Sequence, residues 1–306
     1  MGCIMRQTAT FKLLATMSNS SFKNRLKKSI FIGLITSVSI FSSAAQANGV
    51  TWTSDTFGDL DSGAGSRFAS SQIAITLPLE RQQSGDEVFN TDVHLDLTEF
   101  RWSDTTAATG EYLWLSVPIY YRQKRTSGVE LHVKVEPGLM TDLDAMGTEN
   151  LTANVELSGR SYTGRTSFWQ YGIVVNRYFG DRNPRPLVAY ATRLTDSTEM
   201  WLGFPKTNIQ TRWSKDFSTY FRIYPSGGFW REEVDDLVPV KVTDVSYSNW
   251  HMGVGGEFRW RDNIWFNAEI GQLRNRQIKA TDATGIEISG TPADNGYWQL
   301  GGSLRF

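Results

Sequence analysis

Apolar side chains alternate with polar ones in one segment after another, and this period of two constrains the fold more than any other feature. In residues 129–135, Val and Leu occupy every second position, with Glu130, His132 and Lys134 between them. The same alternation recurs over residues 93–98, 113–120, 151–158, 252–259 and 264–271. Successive side chains of a β-strand point to opposite faces, so this period indicates strands. No helical periodicity of useful length follows residue 48, and the sequence therefore predicts an all-β protein.

Two architectures give this pattern: a soluble sandwich and a transmembrane barrel. A sandwich buries the apolar face, whereas a barrel turns it to lipid and lines its lumen with the polar face. The segments reach roughly 10–14 residues, which suits tilted spanning strands better than the shorter strands of soluble sheets. Aromatic residues cluster near segment ends, as in the two interfacial girdles of membrane barrels. The sequence therefore predicts a transmembrane antiparallel up-and-down β-barrel.

We predict about twelve strands, with ten as the alternative, because an even number brings both termini to the periplasmic side. The segment at 199–213 changes phase at Pro205, where a bulge or bend is expected. In this topology the connections at 126–128, 195–197, 231–244 and 279–294 lie outside, and the turn at 261–262 is periplasmic. The predicted strands are 67–80, 88–102, 111–125, 128–138, 150–161, 167–179, 186–194, 199–213, 217–230, 245–260, 263–278 and 295–306.

The first 47 residues have the pattern of a cleaved export signal. Six of the 31 Lys and Arg lie there with none of the 32 Asp and Glu, which leaves a formal charge of −7 on the rest. A basic stretch, an apolar run at 30–41 and the small-residue pattern at 44–47 follow in the expected order. We therefore predict a signal peptide over 1–47, a flexible N-terminal segment over 48–65 and a barrel over 66–306. Export and a barrel together predict the outer membrane. The net-acidic mature chain argues against nucleic-acid binding.

The last strand resembles the β-signal of Gram-negative outer-membrane barrels. Gln299, Gly301, Leu304 and Phe306 match its polar, glycine, apolar and aromatic positions. This resemblance implies recognition by the barrel-assembly machinery and contact with outer-membrane lipid or lipopolysaccharide. Three runs, at 176–190, 202–205 (Leu-Gly-Phe-Pro) and 227–233 (Gly-Gly-Phe-Trp-Arg-Glu-Glu), are similar to an uncharacterised family of small outer-membrane barrels. That family is known as a domain of unknown function, so the resemblance implies fold and compartment and assigns no activity.

The predicted lumen face carries balanced charge. Acidic residues on it are Asp92, Asp96, Glu130, Glu136, Glu156, Glu257 and Glu269, and basic residues are Arg122, Lys124, Lys134, Arg160, Arg212, Arg222 and Arg259. Histidines 94, 132 and 251 share the same register. Because a strongly selective pore lines itself with one sign of charge, this balance predicts a narrow, weakly selective channel for small polar solutes. The alternative is a closed structural or envelope-interaction barrel whose interior is salt-bridged.

Catalysis is a third hypothesis, based on the row Asp92, His94 and Asp96. Alternation places these side chains on one face, and a carboxylate beside a histidine suits a general base. The predicted topology puts His94 at mid-barrel, on a strand that descends from the outer end at Val88, so a charge network is the preferred interpretation. A metal site that also uses His132 and His251 would need those strands to face one another. We therefore predict no enzyme activity, no cofactor and no metal.

Overall fold

The computed structural model describes residues 47–61, 67–103, 110–124, 128–142, 147–234, 241–281 and 287–305. Within these ranges the chain is a single sheet that closes on itself, because the strand Ala47–Asp55 pairs antiparallel with both Asn295–Arg305 and Arg67–Ser84. No helix in the described ranges has the length and apolar character needed to cross a membrane. The predicted signal peptide over 1–47 lies outside the described residues except for Ala47.

Seventeen strands make up the described sheet. Two one-turn 3₁₀ helices, Thr148–Asn150 and Arg177–Phe179, lie in the connections between strands. The strands are β1 Ala47–Asp55, β2 Gly58–Asp59, β3 Arg67–Ser84, β4 Glu87–Trp102, β5 Glu111–Ser116, β6 Ile119–Lys124, β7 Val129–Thr141, β8 Leu151–Tyr162, β9 Phe168–Val175, β10 Arg185–Arg193, β11 Thr198–Phe204, β12 Thr207–Arg212, β13 Phe217–Val234, β14 Lys241–Arg261, β15 Ile264–Thr281, β16 Glu287–Gly290 and β17 Asn295–Arg305.

The described ring has 14 strands around its circumference, which corrects the prediction of about twelve. β5 and β6 are consecutive parts of one strand, since both pair with β4 and β7. One additional strand is β1, so residues 47–55 are part of the wall and do not form the predicted flexible segment. The other arises at Pro205, where a hairpin turn separates β11 from β12 in place of the expected bulge. Thr207 Oγ1 closes this turn by bonding to both the N–H and the C=O of Gly203.

These two strands also change which end of the barrel each connection occupies. β1 reverses the direction of every strand from β3 to β11, and the hairpin at Pro205 restores the predicted direction from β13 onward. The end of β6, the start of β7 and the connection at 195–197 therefore lie at the same end as 262–263, which corrects the outer position predicted for the connections at 126–128 and 195–197. We call this the turn end. The opposite end, where β9, β13 and β15 end and β10, β14 and β17 begin, is the loop end. Val88, which we predicted at the outer end of its strand, lies near the turn end because the direction of that strand is reversed.

An apolar belt surrounds the outside of the barrel. On β14 the outward side chains Met252, Val254, Phe258 and Trp260 are exposed, and on β15 so is Ile270. Towards the loop end the same faces become polar, with Gln272 and Arg274 on β15 and Ser246 and Asp244 on β14. A closed sheet with an exposed apolar belt is the architecture of outer-membrane barrels, in which every backbone group is paired within the wall. The localisation in the outer membrane agrees with this fold.

The belt gives a direct test of which face meets lipid. Val254 is 54% exposed at the middle of the belt, so Val254→Arg is expected to lower the free energy of unfolding in lipid vesicles by about 2–4 kcal/mol. Ser246→Arg is the matched control, because Ser246 has the same outward register on β14 but lies beyond the belt. Urea titration of both variants measures the difference. Equal tolerance of arginine at both positions would contradict a lipid-facing belt.

The wall is much taller on one side than on the other. β13, β14 and β15 have 18, 21 and 18 residues, whereas β9–β12, which we call the low wall, have 8, 9, 7 and 6. At the low wall, Thr207 pairs with Ile223, which in turn pairs with Met252 near the upper edge of the belt. The tall side continues beyond the belt and closes on itself, since Arg231 of β13 pairs with Thr141 of β7.

A buried cluster fills the interior of the tall side at the loop end. We call it the aromatic cap, and it consists of Leu60, Phe68, Phe100, Tyr112, Trp114, Met140, Trp230, Val245, Tyr247, Ile278 and Ala280. Trp230 and Tyr247 are among the aromatic residues near segment ends from which we predicted interfacial girdles, but they are buried in this cluster. Position near a strand end does not fix which face a residue occupies. Trp169, Trp213 and Trp260 do lie exposed on the wall. The open part of the lumen therefore lies in the middle of the barrel, on the turn-end side of the cap.

Candidate functional site: the interior cavities

Two large cavities lie in the lumen of the described part of the barrel. The central cavity has a volume of about 670 Å³ and extends to the loop end of the low wall, where Asn176, Tyr178 and Lys206 line it. The turn-end cavity has about 570 Å³ and is lined by residues near the opposite end, such as Arg81 and Val88. Lys134, Glu156 and Arg160 line both cavities. These three charged side chains therefore lie at the boundary between the two cavities, which we call the constriction.

β4 and β7 bring predicted lumen residues together on one side of the central cavity. His94 Nε2 lies 2.6 Å from Asp96 Oδ1, and the buried guanidinium of Arg177 pairs with the other oxygen of Asp96. Lys134 Nζ lies 2.9 Å from Glu136 Oε2. Glu136 also accepts hydrogen bonds from Trp114, Ser116 and Asn154. Charge on this wall is compensated within the protein.

A second group on β7, β8 and β9 forms around Glu130. The carboxylate of Glu130 accepts hydrogen bonds from His132 and Arg160, and Nη1 of Arg160 lies 3.4 Å from Oε1 of Glu130. Arg160 Nε also donates to Gln170 at 2.7 Å. Glu156 accepts from Ser158 and Gln170, but no Lys, Arg or His of the described residues forms an ion pair with it. Of the three residues at the constriction, Glu156 is thus the acid, and its carboxylate forms no direct ion pair with a described residue.

The third group joins β13, β14, β15 and β17. Arg222 Nε pairs with the buried carboxylate of Glu269, and its Nη2 donates to Gln299 at 3.2 Å. His251 is buried, with its Nδ1 3.0 Å from the hydroxyl of Tyr224. This group forms the wall of the central cavity on the tall side.

Other predicted site residues lie apart from the central cavity. Asp92 lines the turn-end cavity. Glu257 pairs with Arg305, and Arg259 with Asp216, both near the turn end. Arg212 is exposed beside the 213–216 turn. Among the assembly-signal residues, Gln299 faces inward, Gly301 and Leu304 lie in β17, and Phe306 lies outside the described residues.

The geometry does not assemble the considered hydrolase or metal site. His94 and Asp96 line the central cavity, Asp92 lines the other one, and Arg177 occupies an oxygen of Asp96. His132 bonds to Glu130 and His251 to Tyr224, each on a different wall. Within the described ranges, no group of three His, Cys, Asp or Glu side chains could hold a metal ion.

The inner face of the low wall is apolar along β10, which sequence reasoning missed, although Gln170 of β9 and Asn208 of β12 also line the cavity there. Val174, Leu187 and Ala189 are buried there, and Trp201 also lines the central cavity. Cζ of Arg160 lies 5.4 Å from the ring centroid of Trp201, so the charged and apolar walls meet at this contact. The signal was present in residues 186–191, where apolar residues occupy both registers and the alternation is weak.

The rim of the low wall is held by contacts between its connections. Phe179 stacks on Phe204 with ring centroids 5.8 Å apart, and both rings lie about 6 Å from Trp250. Hydrogen bonds from Arg185 lower the pKa of Asp181 in the 176–184 connection. Lys206 follows Phe204 by two residues and lines the cavity. Desolvation and the charge of Arg222 lower the pKa of Lys206.

Comparisons with known proteins identify barrels but no family. No protein-family model matches the chain, and no curated protein matches it. Among solved structures, it is similar to an outer-membrane channel from Pseudomonas putida F1 at 11% identity, with a TM-score of 0.47 and coverage of 87% of this chain and 97% of that one. The KdgM porin in complex with oligogalacturonate is 9% identical with a TM-score of 0.35, and the match covers 84% of this chain and 99% of that one. The Pseudomonas putida toluene transporter TodX is 9% identical with a TM-score of 0.37, and the match covers 87% of this chain and 91% of that one.

At 9–11% identity, these values describe a likeness of fold alone. The resemblance to an uncharacterised barrel family stays a prediction, since no family model supports it.

Proposed function

We propose that this chain is an outer-membrane channel for small solutes. Its path leads from the turn-end cavity, past Lys134, Glu156 and Arg160, into the central cavity and out over the rim of the low wall. Short turns of outer-membrane barrels face the periplasm, so the turn end is the periplasmic mouth. The observation that carries the proposal is that the two cavities share the same three lining residues. The cap lies beside this path.

Single-channel conductance of the refolded mature protein in a planar bilayer tests the proposal. Stable conductance steps are expected, and the reversal potential in a KCl gradient should be modest because the lumen charges are mostly paired. Glu156→Gln is expected to shift the reversal potential towards that of chloride, since it removes the unpaired acid at the constriction. Glu99→Gln is the matched control, because Glu99 is exposed on the outside of β4 and should leave the reversal potential unchanged.

A silent bilayer would contradict the proposal, provided that heat-modifiable gel migration shows the protein to be folded. That result would favour the closed structural barrel, for which the packed aromatic cap is the supporting observation. Recognition of the last strand by the assembly machinery and contact with lipopolysaccharide remain proposals that rest on the sequence alone.

A further inference from the structure

The walls of the central cavity differ in what they offer to a ligand. Polar side chains on β4, β7, β8, β13 and β17 already bond to one another, as the Lys134–Glu136 and Arg222–Gln299 contacts show. A hydroxyl-rich solute would have to break such bonds, because a polar group buried without a partner costs free energy. From the low wall, the cavity is lined instead by Trp201, which is half-buried, and by Leu187 and Ala189, which are almost fully buried beside it. Apolar surface is therefore what this wall can contribute to binding.

Lys206, whose side chain is exposed at the rim, is the charged group of this wall that a ligand can use, and Asn208 of the same wall also lines the cavity. Lys206 lines the cavity at the rim, and among the described residues no side chain or backbone oxygen accepts a hydrogen bond from its ammonium group. The charge that acts on Lys206 is another cation, Arg222, which is already paired with Glu269. An anion beside Lys206 would gain a charge-assisted hydrogen bond and offset this like-charge repulsion. One unpaired cation matches a single negative charge.

We propose that the central cavity binds an amphipathic monocarboxylate, with its carboxylate on Lys206 and its apolar body against Leu187, Ala189 and Trp201. This inference deepens the proposed channel function and rests on it for its physiological meaning. A volume of about 670 Å³ falls in the range of small-molecule sites, which combine mostly apolar walls with a few placed polar groups. Trp201 lines the cavity with Arg160 over its ring, 5.4 Å from the centroid, so the indole adds apolar surface next to a charged group.

Isothermal titration of the refolded full-length mature barrel with three probes tests the inference. Cyclohexanecarboxylate carries both features, cyclohexylmethanol lacks the charge and gluconate lacks the apolar body. Cyclohexanecarboxylate is expected to bind most tightly. Lys206→Gln should weaken its binding about 10-fold or more and leave cyclohexylmethanol unaffected, because only the charge-assisted bond is lost. Lys206→Arg should retain binding, and Lys215→Gln, an exposed lysine in the turn at 213–216, is the matched control.

Each contrary result overturns the inference. These results are no measurable binding of cyclohexanecarboxylate, equal binding by the wild type and Lys206→Gln, or gluconate binding as tightly as cyclohexanecarboxylate. Heat-modifiable migration of every variant shows that it is folded, and Lys206→Arg controls for a local effect of substitution in the turn. Conductance separates the two proposals: a conducting barrel without carboxylate binding overturns only this inference. Carboxylate binding by a silent barrel supports the site and overturns the channel.

Discussion

Replacing Arg276 by methionine is expected to lower the free energy of unfolding by about 3–5 kcal/mol, because it leaves a buried carboxylate without its partner. Arg276 and Asp55 are fully buried side chains whose Nη2 and Oδ2 atoms lie 2.6 Å apart. Arg276 also donates to the Tyr247 hydroxyl and the Ala293 carbonyl. The pair ties β15 to β1, the strand that closes the ring.

Urea unfolding in lipid vesicles, followed by tryptophan fluorescence, measures this loss. Arg274→Met is the matched control on the same strand, since Arg274 and its partner Asp294 are about half exposed and should be worth less than about 1 kcal/mol. Adding Asp55→Asn to Arg276→Met should recover part of the loss by removing the unpaired charge. Similar costs for the variants at 274 and 276 would show that the buried pair does not hold the first strand in place.

Truncating Phe100 to alanine is expected to cost about 3–5 kcal/mol by opening a cavity in the aromatic cap. Phe100 is 1% exposed, and its ring centroid lies 5.0–5.5 Å from those of Tyr112, Phe68, Tyr247 and Trp230. Phe100→Leu is the control at the same position, because it keeps most of the volume and should cost less than about 1.5 kcal/mol. The same urea titration measures both.

The Phe100→Ala variant also tests the route through the barrel. The proposed path bypasses the cap, so single-channel conductance at a temperature where the variant is folded should equal that of the wild type. A clear rise in conductance would mean that the cap closes a second path on the tall side.

Alternation of side chains was enough to predict an all-β antiparallel ring, because one face of each strand must meet lipid. It did not predict β1, where only Val50 and Trp52 mark the outward face before Ser54 ends the pattern. A strand this weakly marked forms because β17 and β3 present two edges for it to pair with. The phase change at Pro205 was visible, but hydrophobic pattern alone does not distinguish a bulge from a hairpin.

Alternation assigns the charged residues to one face of their strands, but it does not give their pairing. Asp96, Lys134, Glu136 and Glu156 line the central cavity. The partner of Asp96 is Arg177 from a connection, and only the three-dimensional fold brings these residues together. Phe100 lies two residues after Thr98 and four after Asp96, so the alternation of side chains places it on the same inward face. What alternation could not show is that such aromatic residues from distant strands meet in one cap.

The pairing of β1 with β17 has a kinetic consequence, since it joins the two ends of the barrel segment. Contacts between such distant residues incur the largest loop-closure entropy, so the ring is expected to close last, after its consecutive hairpins have formed. Until then the open sheet exposes two unpaired edges, which invite pairing with other chains. Trp52 and Trp298 meet edge to face across this seam, with centroids 4.6 Å apart. Their contact stabilises the closed ring against reopening between β1 and β17. An incompletely folded barrel would aggregate through these same two strand edges.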